Sequence, residues 1–252
     1  MVRLGQNFLA DPNLLEAIVR DAELAAADVV LEVGAGEGVL TERLAGAVGH
    51  VHTVELDRSL EQTLAPLAAR PGVELHWGDA MSLDFAALRP APTAVVSNLP
   101  YSVATPVILR MIEELPSVRR WTVMVQREIA DRLRAAPGSR VYGSPSVLVQ
   151  LACEVKLLRT VDPAVFRPRP RVESAILAMR RTGPGADPAT RELVRAAFAH
   201  RRKALARSLE HVRPGTLVPA REALAALGLP ENARAEQLSP KEFAALSKGL
   251  SR

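Results

Sequence analysis

Ser97-Asn98-Leu99-Pro100-Tyr101 directly follows the apolar run Ala94-Val95-Val96, and its residue types carry a specific chemistry. An amine on a purine ring is a poor nucleophile because its lone pair is delocalised into the ring. Acceptors on the amine hydrogens help the nitrogen turn pyramidal as it attacks. The Asn98 side-chain oxygen and the Leu99 backbone carbonyl are candidates for those acceptors. Pro100 restricts Leu99 to an extended conformation, which holds that carbonyl in place. Tyr101 offers a π-face to a base swung out of its stack, an interaction worth roughly 1–3 kcal/mol per base. A plain turn also uses Asn and Pro, but it leaves the combination with Tyr101 unexplained.

A second segment, Glu32-Val33-Gly34-Ala35-Gly36-Glu37-Gly38, ends another β-branched run. Gly34 and Gly36 let a ligand approach the backbone closely. Glu55 follows twenty-one residues after Gly34, at the end of the next apolar run, where an acid hydrogen-bonds a ribose diol. The glycine spacing is G-x-G-x-G and not the G-x-G-x-x-G of a dinucleotide site, and Glu37 between the glycines repels a pyrophosphate. A ligand with an amino-acid end and a sulfonium charge tolerates that acid. Gly78-Asp79-Ala80 ends a third run, placing Asp79 to accept from an adenine amine. Together these features favour S-adenosylmethionine over a nicotinamide dinucleotide.

Positioning such residues takes strands whose ends lie side by side. Val29–Val33, Val51–Leu56, Val73–Trp77, Ala94–Ser97 and Trp121–Val125 read as strands, with helical spacing over 40–48, 60–69 and 105–114. Strands alternating with helices predict right-handed βαβ units and a doubly wound α/β sheet of Rossmann-like type. Residues 154–161 and 174–180 read as two further strands on an edge of that sheet. The turn-forming stretch 181–188 reads as a linker. Beyond it, 191–200, 203–211, 220–227 and 241–248 read as short helices. The predicted organisation is a domain over 1–182 and a small all-helical domain over 183–252.

The chain has 252 residues, 48% hydrophobic and 24% charged, which excludes a disordered chain. With one cysteine, Cys153, it has no intramolecular disulfide and no thiolate zinc cluster, and a reducing compartment is expected. His50 and His52 alternate along an apolar run and read as one exposed strand face, so no metal is expected. The start resembles no secretion signal, and no apolar stretch of about 18 residues occurs, so a cytoplasmic chain without membrane contact is expected. Net charge is +4, and residues 183–252 hold 12 Lys and Arg against 7 Asp and Glu, whereas residues 1–182 hold 20 against 21. A basic helical tail beside a neutral sheet domain is compatible with a phosphate-rich partner and also with an ordinary solvated surface.

These motifs, in this order and spacing, resemble the ribosomal RNA adenine dimethyltransferases, above all the small-subunit KsgA/RsmA family. The likeness runs nearly end to end, from Leu4-Gly5-Gln6-Asn7-Phe8-Leu9 through Glu32–Gly38, Glu55-Leu56-Asp57, Gly78-Asp79-Ala80-Met81, Asn98–Tyr101, Gln126-Arg127-Glu128 and Tyr142-Gly143 to Phe166–Ser174. Ala197-Phe198-Ala199-His200-Arg201-Arg202-Lys203 is closer to the small-subunit enzymes than to the large-subunit Erm resistance enzymes.

The resemblance implies an S-adenosylmethionine-dependent methyltransferase fold and dimethylation of two adjacent adenosines near the 3′ end of small-subunit rRNA. A pre-30S particle is the implied partner, and the chain is expected to act as a monomer. Asn7, Leu9, Gly34, Gly36, Glu55, Asp79, Ala80 and Asn98 are the implied cofactor residues. Asn98, Leu99, Pro100 and Tyr101 hold the target adenine, with Phe166 as a second aromatic wall, although the residues alone equally suggest that Phe166 is core. Arg167, Arg169, Arg171, Arg201, Arg202 and Lys203 are the expected RNA contacts. Two other readings use the same fold: an Erm-type large-subunit methyltransferase, and a non-catalytic RNA-binding assembly factor, against which the intact Glu55, Asp79 and Asn98 argue.

Overall fold

The computed structural model describes residues 6–250, so Leu4 and Gly5 of the opening motif lie outside the described residues. The chain divides into two compact units, residues 1–130 with 155–181, and residues 131–154 with 182–252.

The first unit is built on the expected parallel sheet. In chain order it contains β1 (Phe8–Leu9), α1 (Pro12–Asp21), β2 (Val29–Val33), α2 (Val39–Ala47), β3 (His50–Glu55), α3 (Glu61–Ala68), β4 (Val73–Trp77), β5 (Ala94–Asn98), α4 (Ala104–Glu114) and β6 (Arg120–Gln126). After α5 (Arg127–Leu133) and α6 (Ser144–Gln150) come β7 (Cys153–Val161), β8 (Phe166–Arg167) and β9 (Ser174–Arg181). Seven strands form one sheet in the order β4-β3-β2-β5-β6-β9-β7. The first five are parallel, and β9 joins β6 antiparallel. Both added strands therefore extend one edge, as the sequence suggests.

The chain order reverses between β2 and β5, which are neighbours. In open α/β sheets a crevice forms at such a reversal, beyond the carboxyl ends of the strands. Ser97 ties the two strands there: its Oγ donates to the Val33 carbonyl at 2.6 Å and accepts from the Val33 amide at 3.3 Å. Apolar residues on both sheet faces are buried, Val30, Val51, Val96 and Ile176 on one and Leu31, Val95, Val123 and Leu177 on the other. That burial is why these strands read as continuous apolar runs. His52 departs from the expected exposed face, because its side chain is fully buried between β3 and the Pro90 segment.

The second unit is all-helical apart from the start of β7. Its further helices are α7 (Pro188–Ala199), α8 (Leu205–Val212), α9 (Leu217–Ala226) and α10 (Pro240–Leu250). Ser239 caps α10 with the expected reciprocal bonds to Glu242. Residues 131–154, which the sequence pattern assigns to the sheet domain, cluster with these helices instead. The cause is aromatic packing that the sequence pattern does not expose. Tyr142 is fully buried, packs edge-on against Phe198 with Phe198 in turn against Phe243, and donates its hydroxyl to the Leu238 carbonyl at 2.9 Å. Among the described residues no helix is long and apolar enough to cross a membrane.

Candidate functional site

A cavity of ≈ 280 Å³ opens at the chain reversal, near the lower end of the roughly 300–1,000 Å³ typical of small-molecule sites. It gathers the opening motif, the glycine turn, the end of β3 and the segment after β5. Asn7, Leu9, Gly34, Gly36, Glu55, Asn98, Leu99, Pro100 and Tyr101 all line it.

Gly34 follows β2 with φ +88°, and a Cβ there would sit 3.3 Å from the Pro100 ring and 3.5 Å from the Asn98 carbonyl. The glycine turn and the Asn98–Tyr101 turn thus pack backbone to backbone, and only Gly permits that approach. Gly36 has φ +56° and abuts the Phe8 ring, so the opening strand closes the turn from the other side.

Glu55 is buried and organises two backbone segments. One carboxylate oxygen accepts the Gly36 amide at 2.8 Å, and the other accepts the amides of Leu56 at 2.9 Å and Asp57 at 2.8 Å. The side chain that faces the cavity therefore also fixes the loop in front of it. Leu99 is buried and its amide donates to the Met124 carbonyl at 3.1 Å, while the Val103 amide closes a turn on the Pro100 carbonyl. Tyr101 shares a 2.6 Å hydrogen bond with Ser174 of β9, and burial pushes its phenol pKa up.

Three expected residues are placed elsewhere. Asp79 and Ala80 are not in the cavity lining. Asp79 is exposed and caps its own turn by accepting the Met81 amide at 2.8 Å. That turn is nevertheless fastened to the end of β3, since the Gly78 amide donates to the Glu55 carbonyl. Phe166, implied as an aromatic wall, is a core residue here. It is 2% exposed, stands opposite Leu9 in the short β1–β8 ladder and belongs to the cluster beneath the sheet.

Glu37 lines the cavity beside the glycines, and so do Glu32, Phe8 and Ser102, although no residue-by-residue signal in the sequence assigns these three to it. Glu32 is 1% exposed, with Thr41 donating to one of its oxygens at 2.5 Å and Thr53 to the same oxygen at 2.8 Å. Burial pushes its carboxyl from the ordinary 4.5 up to about 8, with the Glu55 charge adding to the rise and the two threonines opposing it. The folded chain thus holds a proton at pH 7 that the unfolded chain has released. Between the unfolded and folded pKa values, stability falls as pH rises. Urea midpoints measured from pH 5 to 9 are expected to decline across this window for the natural chain and to decline less for Glu32→Gln. Parallel profiles would show that Glu32 is not the titrating group.

Of the expected RNA contacts, Arg167, Arg169 and Arg171 are exposed in the first unit, with Arg169 3.8 Å from Asp162. In the second unit Arg201 is a structural tie. Its guanidinium holds Glu236 at 3.0 Å and the Arg140 carbonyl at 2.7 Å. Arg202 and Lys203 instead line a cavity of ≈ 670 Å³ with Arg207 and Arg221.

A sequence profile described as ribosomal RNA adenine dimethylase matches residues 2–251. A curated relative from Rubrobacter xylanophilus named ribosomal RNA small subunit methyltransferase A is 45% identical, covering 99% of this chain and 94% of its own. A relative of the same name from Kineococcus radiotolerans is 46% identical, covering 97% and 84%. Among solved structures, a dimethyladenosine transferase from Plasmodium falciparum superposes with a TM-score of 0.80 at 24% identity over 95% of each chain, a likeness of fold. The 23S rRNA methyltransferase ErmE superposes at 0.70 with 27% identity, over 98% of this chain and 100% of its own. With the profile spanning residues 2–251, the protein belongs to the ribosomal RNA adenine dimethylase family.

Proposed function

We propose that the chain dimethylates the exocyclic amines of two adjacent adenosines near the 3′ end of small-subunit rRNA, using S-adenosylmethionine as methyl donor. The observation that carries the donor is the charge of the cavity lining. Among the described residues it includes Glu37 and Glu55 beside the protonated Glu32, and no Lys or Arg. A pyrophosphate finds no cation there, whereas a ligand bearing a sulfonium and an ammonium meets carboxyl groups. When bound, the donor supplies an electrophilic methyl group.

Glu55 orients the ribose, and the Gly34–Gly36 backbone admits the amino-acid end. Asn98 and the Leu99 carbonyl accept from the adenine amine, so that its lone pair turns toward the methyl group. Tyr101 stacks on the flipped base, its ring steadied by Ser174. No strong general base is required, because the nitrogen becomes acidic once it has attacked and releases its proton to water. Asp79 reaches the adenine of the donor only if its turn shifts toward the cavity. Phe166 contributes through Leu9 and the position of β1.

The small subunit is favoured over the large because relatives named for it are 45–46% identical, against 27% for ErmE. A pre-30S particle is the substrate form, in a cytoplasmic setting, with the chain acting as a monomer. Labelled methyl transfer to isolated subunits tests the assignment. Label entering small-subunit particles supports it, and label confined to the large subunit overturns it.

Phosphate contacts are supplied by the Arg167, Arg169 and Arg171 stripe and by Arg202 and Lys203. Replacing both Arg202 and Lys203 with alanine is expected to weaken particle binding and leave cofactor affinity intact. Each phosphate that goes without its cation flattens the log–log salt slope by about 0.7–0.9. An unchanged slope would remove the pair from the interface.

A further inference from the structure

Two neighbouring strands place four metal-ligating side chains on one sheet face, outside the cavity lining. His50 and His52 alternate along β3, and Glu74 and His76 alternate along β4. Parallel pairing sets His52 opposite Glu74 and Val54 opposite His76, so all four project to the same side. His52 Nδ1 lies 3.3 Å from a Glu74 oxygen and 3.0 Å from His76 Nε2. His50 Nε2 lies 3.7 Å from the other Glu74 oxygen, and His76 Nε2 lies 3.8 Å from the first. One ligand atom each from His50, His52 and Glu74 falls within 4.8 Å of the others.

Two details separate this cluster from a chance meeting of polar side chains. His52 Nε2 is 2.9 Å from the Pro90 carbonyl, which only accepts, so that nitrogen carries the proton. The Nδ1 lone pair is thereby left free on the side of Glu74 and His76, the arrangement by which a backbone carbonyl fixes a ligating histidine. His50 Nε2 is buried and has no hydrogen-bond partner. A buried ring nitrogen left so is costly unless something fills the space beside it.

We propose that His50 Nε2, His52 Nδ1 and a Glu74 carboxylate oxygen bind a zinc ion, with His76 Nε2 shifting from its contact with His52 Nδ1 to serve as the fourth ligand. Zinc bonds of about 2.0–2.1 Å put tetrahedral ligand atoms about 3.3 Å apart, within the observed spread of separations. Imidazole nitrogens with one carboxylate suit zinc over the hard oxygen-seeking cations. This departs from the sequence expectation of no metal, which rests on five histidines scattered without metal-ligand spacing. Glu74 and His76 come from another strand, and only the sheet register brings them in. None of the four lines the cavity, and Glu55, three residues beyond His52 along β3 or about 10 Å at strand rise, projects to the opposite sheet face. The ion is a clip that fastens β4, the outermost strand on this edge of the sheet, to β3.

Chelator-treated protein without a histidine tag, titrated with zinc chloride by calorimetry, tests the proposal. One equivalent is expected to bind with micromolar or tighter affinity and to raise Tm. Cobalt(II) is expected to give the visible absorption of a four-coordinate site. His52 is fully buried and its variants risk misfolding, so Glu74→Gln and His50→Gln are the informative changes. The Glu74 side chain is 48% exposed, and its replacement is expected to preserve the fold. Each is expected to weaken zinc binding at least tenfold and to abolish the rise in Tm, with methyl transfer unchanged. Binding no tighter than millimolar, or equal uptake by the Glu74→Gln/His50→Gln double variant, overturns the site.

Discussion

Asn98→Ala is expected to abolish methyl transfer in practice, lowering kcat by roughly 10²–10³-fold or more, the scale on which loss of one preorganised transition-state hydrogen bond acts. The expectation rests on where Asn98 stands. It is the last residue of β5, beside Gly34, and it lines the cavity with Leu99 and Tyr101. Its side-chain oxygen is the acceptor that the adenine amine needs only while the nitrogen turns pyramidal, so the effect falls on kcat more than on binding. Cofactor affinity, measured by calorimetry, is expected to change by less than about tenfold, since Glu55 and the glycine turn remain. Single-turnover methylation of small-subunit particles gives the rate directly. A near-normal rate would sink the mechanism, because no other side chain in the lining is proposed as that acceptor.

The second large effect is expected at Glu55. Glu55→Ala removes the carboxylate that orders Gly36, Leu56 and Asp57 through three backbone amides, along with the proposed acceptor for the ribose hydroxyls. Hydrogen bonds to a charged group contribute about 1.5–3 kcal/mol each, so cofactor affinity is expected to fall by roughly 10²-fold or more. Glu55→Gln keeps one carbonyl acceptor and is expected to fall between the two. Asp79→Ala, whose side chain caps an exposed turn, is expected to cost less than Glu55→Ala. Isothermal titration with S-adenosylmethionine ranks all three. Unchanged affinity in Glu55→Ala would take that residue out of the ribose role.

The sheet is legible in the sequence because parallel strands buried on both faces read as unbroken apolar runs, and helices of regular spacing separate them. The glycine turn, Glu55 and Asn98–Tyr101 are legible for a related reason: each stands at a strand end, where the chain order alone predicts convergence. Pairings made by one or two residues are not. β1 and β8 are two-residue strands that exist through each other, and their pairing sends Phe166 into the core. Helix α1 has an open local signal, with Asp11 capping Asn13 and Leu14 ahead of Pro12, yet it precedes the βαβ alternation and stands outside that pattern. The proton on Glu32 is a consequence of burial by the surrounding elements, against the opposing bonds from Thr41 and Thr53, and no local pattern announces it.

The helical unit is assembled from two separate stretches of chain, so the polypeptide crosses between units three times, at 130/131, 154/155 and 181/182. Recombination between relatives meets a constraint here. A single junction in the turn-rich stretch 181–188 looks natural on the sequence, and it would transplant the tail helices alone. Tyr142 would then be inherited from one parent, while Phe198, Phe243 and the Leu238 carbonyl would come from the other. Such a hybrid divides one hydrophobic core between two lineages. A transferable helical module must carry residues 131–154 together with 182–252, and the sheet must be closed across the gap at 130 and 155.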